Sequence, residues 1–189
     1  MTRIIAGAAG GRRLSTPPGD ATRPTSDRVR EAVFSTLESA VGSWAGLRFL
    51  DMFAGSGAVG LEAVSRGAAH AMLVEQHRRT AAVARGNART LGFAAVEVVT
   101  ARAEVFVQRP PAQPYDVVFL DPPYTLGNDA VGELLGQLVA QRWLGRDAVV
   151  VVERAARDAA PPWPEGIRED RAKRYGETVV WYGRASQSG

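Results

Sequence analysis

A chain of 189 residues with 46% hydrophobic content is long enough to bury a proper core and short enough that one globular fold is expected. It has no cysteine, which excludes disulfides, thiolate metal sites and a cysteine nucleophile; no apolar stretch has signal-peptide length or approaches the roughly 20 residues that span a bilayer, so a soluble, cytoplasmic protein is expected. Net charge is only +3, but residues 1–30 hold Arg3, Arg12, Arg13, Arg23, Arg28 and Arg30 against Asp20 and Asp27, a segment at +4 beside 159 residues at −1, and such a basic arm suggests contact with a polyanion.

In chain order, "RIIAGAAGGRRL" (3–14) reads as two short strands around a Gly/Ala-rich turn, followed by the proline-rich connector "STPPGDATRP". From about Ser26 to Val41 the apolar residues Val29, Val33, Leu37 and Val41 recur every four positions, which predicts an amphipathic helix. From Leu47 strands and helices alternate: "LRFLD", a helix after Gly57, "AMLVE", a helix over 78–91, "VEVVT", a short helix near Glu104, "DVVFLD", a helix over 129–141 and "AVVVVE". Solidly apolar strands in such alternation predict an α/β fold whose parallel sheet is covered by helices on both faces. "IREDRAKRYGETVVWYG" predicts two strands turning near Gly176, an antiparallel hairpin at one edge of the sheet. The expected organisation is a basic hairpin arm over 1–24 and a larger domain over 25–189.

In "LRFLDMFAGSGAVGLEAV" a glycine-rich turn joins a strand to a helix, and Gly55, Gly57 and Gly60 match the dinucleotide fingerprint. Asp51, however, ends the strand, with Met52, Phe53 and Ala54 before the first glycine. A carboxylate at that mouth repels a pyrophosphate but accepts hydrogen bonds from an ammonium group, which S-adenosylmethionine offers. Its parts would lie over the carboxyl ends of adjacent strands, with Gly55, Ser56 and Gly57 forming the turn beneath them and Glu75, at the end of the next strand, taking the ribose hydroxyls. After the third strand, Arg102 and Ala103 fall at the level of the adenine ring, where a backbone amide can bond a ring nitrogen and Phe53 or Phe106 can supply an apolar wall.

"DPPY" (121–124) ends the fourth strand, so Asp121 is expected to border both the cofactor and the group to be modified. Pro122 and Pro123 lack N–H groups, and the loop therefore displays acceptors without donors. An exocyclic amine needs such acceptors: its two N–H bonds can point at the Asp121 carboxylate and the Pro122 carbonyl, turning the nitrogen lone pair toward the methyl carbon in a near-attack pose. Tyr124 supplies a flat face on which an extruded base stacks. His70 and His77 have no nearby acid cluster, and no metal site is expected.

With "DMFAGSGAVG", "VE" and "DPPY" in this order, the chain resembles the class I S-adenosylmethionine-dependent methyltransferases that modify exocyclic amines. "RIIAG", "GRRL" and "TRPTSDRVREAVF" narrow the resemblance to the RsmD-type 16S rRNA (guanine(966)-N(2))-methyltransferases. The resemblance implies a Rossmann-like, mostly parallel seven-stranded sheet with a small N-terminal β-hairpin extension. It further implies methyl transfer to N2 of one guanine of 16S ribosomal RNA within an assembling small subunit. Asp51, Gly55, Gly57 and Glu75 would hold the cofactor; Asp121, Pro122 and Tyr124 would hold the guanine. Arg12, Arg13, Arg23, Thr25 and Arg28 are the expected RNA contacts, Arg23 and Thr25 near the pocket entrance, and a monomer is expected. Where the family's first hairpin carries an aromatic and a basic residue before its Gly-Arg, this chain has Ala9 and Gly10. The rival readings are an adenine-N6 DNA methyltransferase, which the same loop would serve, a protein-glutamine methyltransferase, which Asp121 disfavours, and a non-catalytic RNA-binding assembly factor.

Overall fold

Residues 2–19 and 26–186 are described by the structure, a computed structural model; Arg23 and Thr25 lie outside them. The chain falls into two units, Met1–Arg102 and Ala103–Gly189, whose strands make up a mostly parallel sheet of seven, beside a separate two-stranded hairpin.

In the first unit β1 (Thr2–Arg3) and β2 (Arg13–Leu14) pair antiparallel. This hairpin is a docked element rather than a free arm. Ile4, Ala9 and Leu14 are buried against Leu61, Ala88 and Leu91, and its backbone is tied to one helix: Ala8 N–H donates to the Ser65 carbonyl at 2.7 Å, Ala9 N–H to Ser65 Oγ at 2.9 Å and Ile5 N–H to the Glu62 carboxylate at 3.1 Å. Gly7 (φ +81°) makes this approach possible, since a Cβ there would fall 1.9 Å from the Ser65 carbonyl oxygen. Ala9 is thus a packing residue in this chain.

Helix α1 (Asp27–Val41) starts at Ser26, whose Oγ accepts from Val29 N–H at 3.2 Å and caps the first turn. Its buried face differs from the predicted one: Arg30, Val33, Phe34 and Leu37 are inside, while Val29 and Val41 are half-buried. The aromatic ring decides the rotation, because Phe34 stacks on Phe49 and tilts against Trp44. Arg30, counted with the basic arm from sequence, is buried and donates to the Arg3 carbonyl and to Asp27; Arg3 also pairs with Asp27.

The strands β3 (Arg48–Asp51), β4 (His70–Glu75) and β5 (Val96–Thr100) are parallel in the order β5-β4-β3. Helices α2 (Ala58–Ser65) and α3 (Arg78–Leu91) pack on them. Gly60 lets α2 close onto β4: a Cβ there would come 2.1 Å from Leu73 Cδ2, so the third fingerprint glycine serves helix-to-sheet packing. α3 ends at Gly92 in the left-handed region.

The second unit begins with α4 (Ala103–Phe106), then β6 (Tyr115–Leu120), α5 (Asn128–Ala140) and β7 (Leu144–Ala155). β6 and β7 are parallel. Trp143 stacks on Tyr115 and tilts against Phe106, which places Phe106 in this packing. The predicted hairpin is present as β8 (Ile167–Tyr175) and β9 (Thr178–Ala185), with β9 antiparallel to β7 and β8 at the edge. β8 is exposed along most of its length and carries Arg168, Arg171, Lys173 and Arg174, charges that blunt an open strand edge. Among the described residues, no helix is long and apolar enough to cross a membrane.

Candidate active site

The glycine turn is built by the two strands that flank it. Ala54 N–H donates to the Val74 carbonyl and Gly57 N–H to the Ala54 carbonyl, each at 2.9 Å, which folds the turn over the end of β4. Gly55 (φ +56°) and Gly57 (φ +90°) both need the left-handed region. At Gly57 a Cβ would also meet Leu73 Cδ1 at 3.0 Å.

Glu75 holds this turn from below. Its Oε2 accepts Gly55 N–H at 2.9 Å and its Oε1 accepts His77 N–H at 3.1 Å, so one buried carboxylate fixes both the loop and the start of α3. Asp51 is buried at the end of β3, and its Oδ1 accepts Phe53 N–H at 3.2 Å. Phe53 is half-buried beside it, as are Gly55 and Ser56, and Arg102 is exposed at the end of this unit.

These residues fit S-adenosylmethionine. A side chain on Gly55 would point into space with nothing within 4 Å, leaving the turn open where a ligand would lie. Glu75 has one N–H on each oxygen, and a carboxylate offers about four lone-pair sites, which leaves acceptors for two hydroxyls. Two buried acids at the strand ends suit an ammonium and a ribose, and oppose a pyrophosphate.

One residue of this site was not singled out from sequence. Asn87, 4% exposed on α3, donates from Nδ2 to the Ser56 carbonyl at 2.9 Å and bonds Ser15 through both of its amide ends. The sequence signal is an asparagine on the helix face otherwise formed by Ala81, Ala84, Ala88 and Leu91, where a polar side chain needs partners.

The second unit carries Ala103, buried at the start of α4, and the loop after β6. Asp121 is half-buried, Pro122 buried, and Tyr124 stands 47% exposed. Leu126 N–H donates to the Pro123 carbonyl at 2.9 Å, closing the loop as a turn. Buried Arg154, at the end of β7, donates to the Leu126 carbonyl at 2.7 Å and pairs with Asp158. Arg157 lies over the Tyr124 ring, 5.6 Å from its centroid. Neither arginine was singled out from sequence, because only the fold brings "ERAARD" beside "DPPY". Among the expected RNA contacts, Arg12, Arg13 and Arg28 are exposed, and Arg12 also donates to the Thr90 carbonyl at 2.9 Å. Among the described residues no cluster of His, Asp or Glu could hold a metal ion.

Comparison with known proteins follows the same lines. A family model described as conserved hypothetical protein 95 matches residues 2–184. The ribosomal RNA small subunit methyltransferase D of Escherichia coli is 37% identical over 177 residues, 94% of this chain and 86% of that protein. The protein of the same name from Haemophilus influenzae is 36% identical over 154 residues, covering 80% and 77%. The solved structure of Escherichia coli yhhF superposes with a TM-score of 0.86 at 34% identity, over 98% of this chain and 99% of that one.

Proposed function

The chain belongs to the family of conserved hypothetical protein 95, that of the RsmD-type ribosomal RNA methyltransferases, and from this premise we propose that its substrate atom is the N2 amine of the guanine at position 966 of 16S ribosomal RNA. It is an S-adenosylmethionine-dependent rRNA methyltransferase. When bound, the cofactor supplies a methyl group on a cationic sulfur, an electrophile that needs only an aligned nucleophile.

In this reading Asp51 receives the cofactor's ammonium group, Glu75 its ribose hydroxyls, and the open side of Gly55 admits the body of the ligand. Arg102 and Ala103 contribute at the adenine. Asp121 and the Pro122 carbonyl accept the two N–H bonds of the guanine amine, and Tyr124 stacks on the base. So held, the N2 lone pair would face the methyl carbon; the new bond would form as the carbon–sulfur bond broke with its electron pair staying on sulfur, and the surplus amine proton would leave to water. Alignment of this kind supplies much of the acceleration in bimolecular transfer. The observation that carries the reading is the buried Glu75 carboxylate fastened to the Gly55 turn, in a chain that also presents an exposed tyrosine behind a donor-poor Asp-Pro-Pro loop. The protein acts as a cytoplasmic monomer on an assembling small subunit.

Incubation with labelled S-adenosylmethionine and unmodified small subunits, naked 16S rRNA or DNA, followed by digestion to nucleosides, tests this. N2-methylguanosine from rRNA is expected. Label in N6-methyladenine of DNA would overturn the proposal, and no label in any substrate would leave a binding factor.

A further inference from the structure

Helix α3 holds Arg78, Arg79, Arg85 and Arg89, and from Gln76 to Val96 the chain has no carboxylate. Arg78, Arg85 and Arg89 are spaced by seven and four residues, which puts them on one face of the helix, with Arg79 beside its start. Arg78, Arg79 and Arg89 are exposed. Arg85 is pinned: its Nη2 donates to the Val98 carbonyl at 3.1 Å and to Thr100 Oγ1 at 3.0 Å, across to the edge strand β5. None of the four is joined to a carboxylate among the described residues. A helix face of uncompensated guanidinium groups costs self-repulsion, which an anionic partner relieves.

The stripe is continuous with the arm. Arg12 reaches the carbonyl of Thr90 in the last turn of α3, so the hairpin's exposed Arg12 and Arg13 extend the surface at that end. At the other end Arg78 follows Glu75 by three residues, beside the cofactor turn. Arg85, Arg89, Phe93, Val96 and Val98 line a shallow, open cleft of about 480 Å³, in which Phe93 and Val96 are half-buried against the hairpin core. Guanidinium groups beside an apolar, partly aromatic lining match a nucleotide, a flat base with a phosphate on either side; an acidic peptide would leave the apolar lining unused. Single-stranded RNA is held in this way, with unpaired bases against aromatic rings and phosphates on guanidinium groups.

We propose that the outer face of α3, continued by the docked hairpin, is the track on which this enzyme holds the single-stranded RNA flanking its target. Arg78, Arg79, Arg89 and Arg12 take phosphates, and one unpaired base enters the cleft over Phe93. From Arg78 to Arg89 the helix rises about 16 Å, the length of about five stacked nucleotides at 3.4 Å each. The inference rests on the rRNA-methylating reading and adds where the substrate's strand lies.

The test uses the full chain and a fluorescent transcript of small-subunit rRNA containing the target guanine. The triple variant Arg78→Gln, Arg79→Gln, Arg89→Gln is expected to bind it about tenfold or more weakly at 0.15 M salt. The slope of log affinity against log salt should flatten by about two, near 0.7 for each phosphate no longer neutralised. Cofactor affinity, read by calorimetry, stays at the wild-type value, and the matching triple lysine variant regains most of the slope. Phe93→Leu, which keeps the packing and removes the ring, is expected to weaken binding several-fold with no change in slope. Unchanged affinity and slope in the folded triple variant would overturn the proposal. So would normal RNA binding with failed association to protein-bearing small subunits, which would assign the surface to a ribosomal protein. Failure of the wild type to label any rRNA is a separate outcome, and removes the parent reading together with this one.

Discussion

Asn87 and Ser15 exchange hydrogen bonds in both directions: Oδ1 accepts from Ser15 N–H at 2.9 Å, and Nδ2 donates to the Ser15 carbonyl at 3.0 Å. The second Nδ2 hydrogen goes to Ser56 in the glycine turn, so one side chain joins the segment leaving the hairpin to the turn proposed to hold the cofactor. Replacing it by alanine strips three backbone groups of a partner, and an unsatisfied buried group costs about 1–3 kcal/mol. Asn87→Ala is expected to lose about 2–4 kcal/mol in urea unfolding and to bind S-adenosylmethionine more weakly. Wild-type values of both would show that water replaces the amide without loss.

Glu75 is a second cross-tie. Glutamine at this position turns an acceptor into a donor facing either Gly55 N–H or His77 N–H, and it removes a charged acceptor for the ribose. Hydrogen bonds to charged groups contribute about 1.5–3 kcal/mol, so Glu75→Gln is expected to weaken cofactor binding by roughly tenfold to a hundredfold. Calorimetric titration decides it; an unaltered Kd would move the ribose elsewhere.

For Asp121 the expectation divides binding from chemistry. Asp121→Ala removes the acceptor assigned to the guanine amine but none of the groups that hold the Gly55 turn. Methyl transfer should fall by about a hundredfold to a thousandfold, the scale set by removing an electrostatic partner at a reacting centre, with cofactor affinity within a few-fold of wild type. Full turnover in single-turnover assays would refute the amine clamp.

Glu62 yields a pH prediction. It is 0% exposed, and burial pushes its carboxyl above the usual carboxylate range, although Arg66, Ile5 N–H and Arg30 pull the other way. A raised native value means that the folded state holds the proton more tightly than the unfolded one. The stability this confers is complete below the ordinary value of about 4.3 and is lost as pH climbs through the native value. Glu62→Gln cannot ionise, so Tm of the wild type minus that of the variant should decline with rising pH across this window. A difference that stays constant would mean that Arg66 fully compensates the buried charge.

Much of this was readable beforehand because the relevant signals are local. Apolar runs such as "VVFL" and the acids closing them, Asp51, Glu75 and Asp121, follow from strand period and topology, and Gly55 and Gly57 from the backbone shape the turn requires. What escaped depends on contacts between distant segments. Arg30 looked like one more arm cation and is buried under the hairpin, and α1 is rotated because Phe34 finds Phe49. Arg157 meets Tyr124 from 33 residues away, and no period or motif marks it. Asn87 was the one such residue with a usable sign, a polar side chain on an alanine face.

The fit of Gly7 against Ser65 has a practical consequence for handling this protein. A segment that leaves no room for a methyl group behaves as part of the wall. Trimming it to reach a leaner catalytic fragment would uncover Leu61, Ala88 and Leu91 and yield sticky, poorly behaved material. Purification handles and fluorescent labels therefore belong away from the hairpin, whose turn has to close on Ser65.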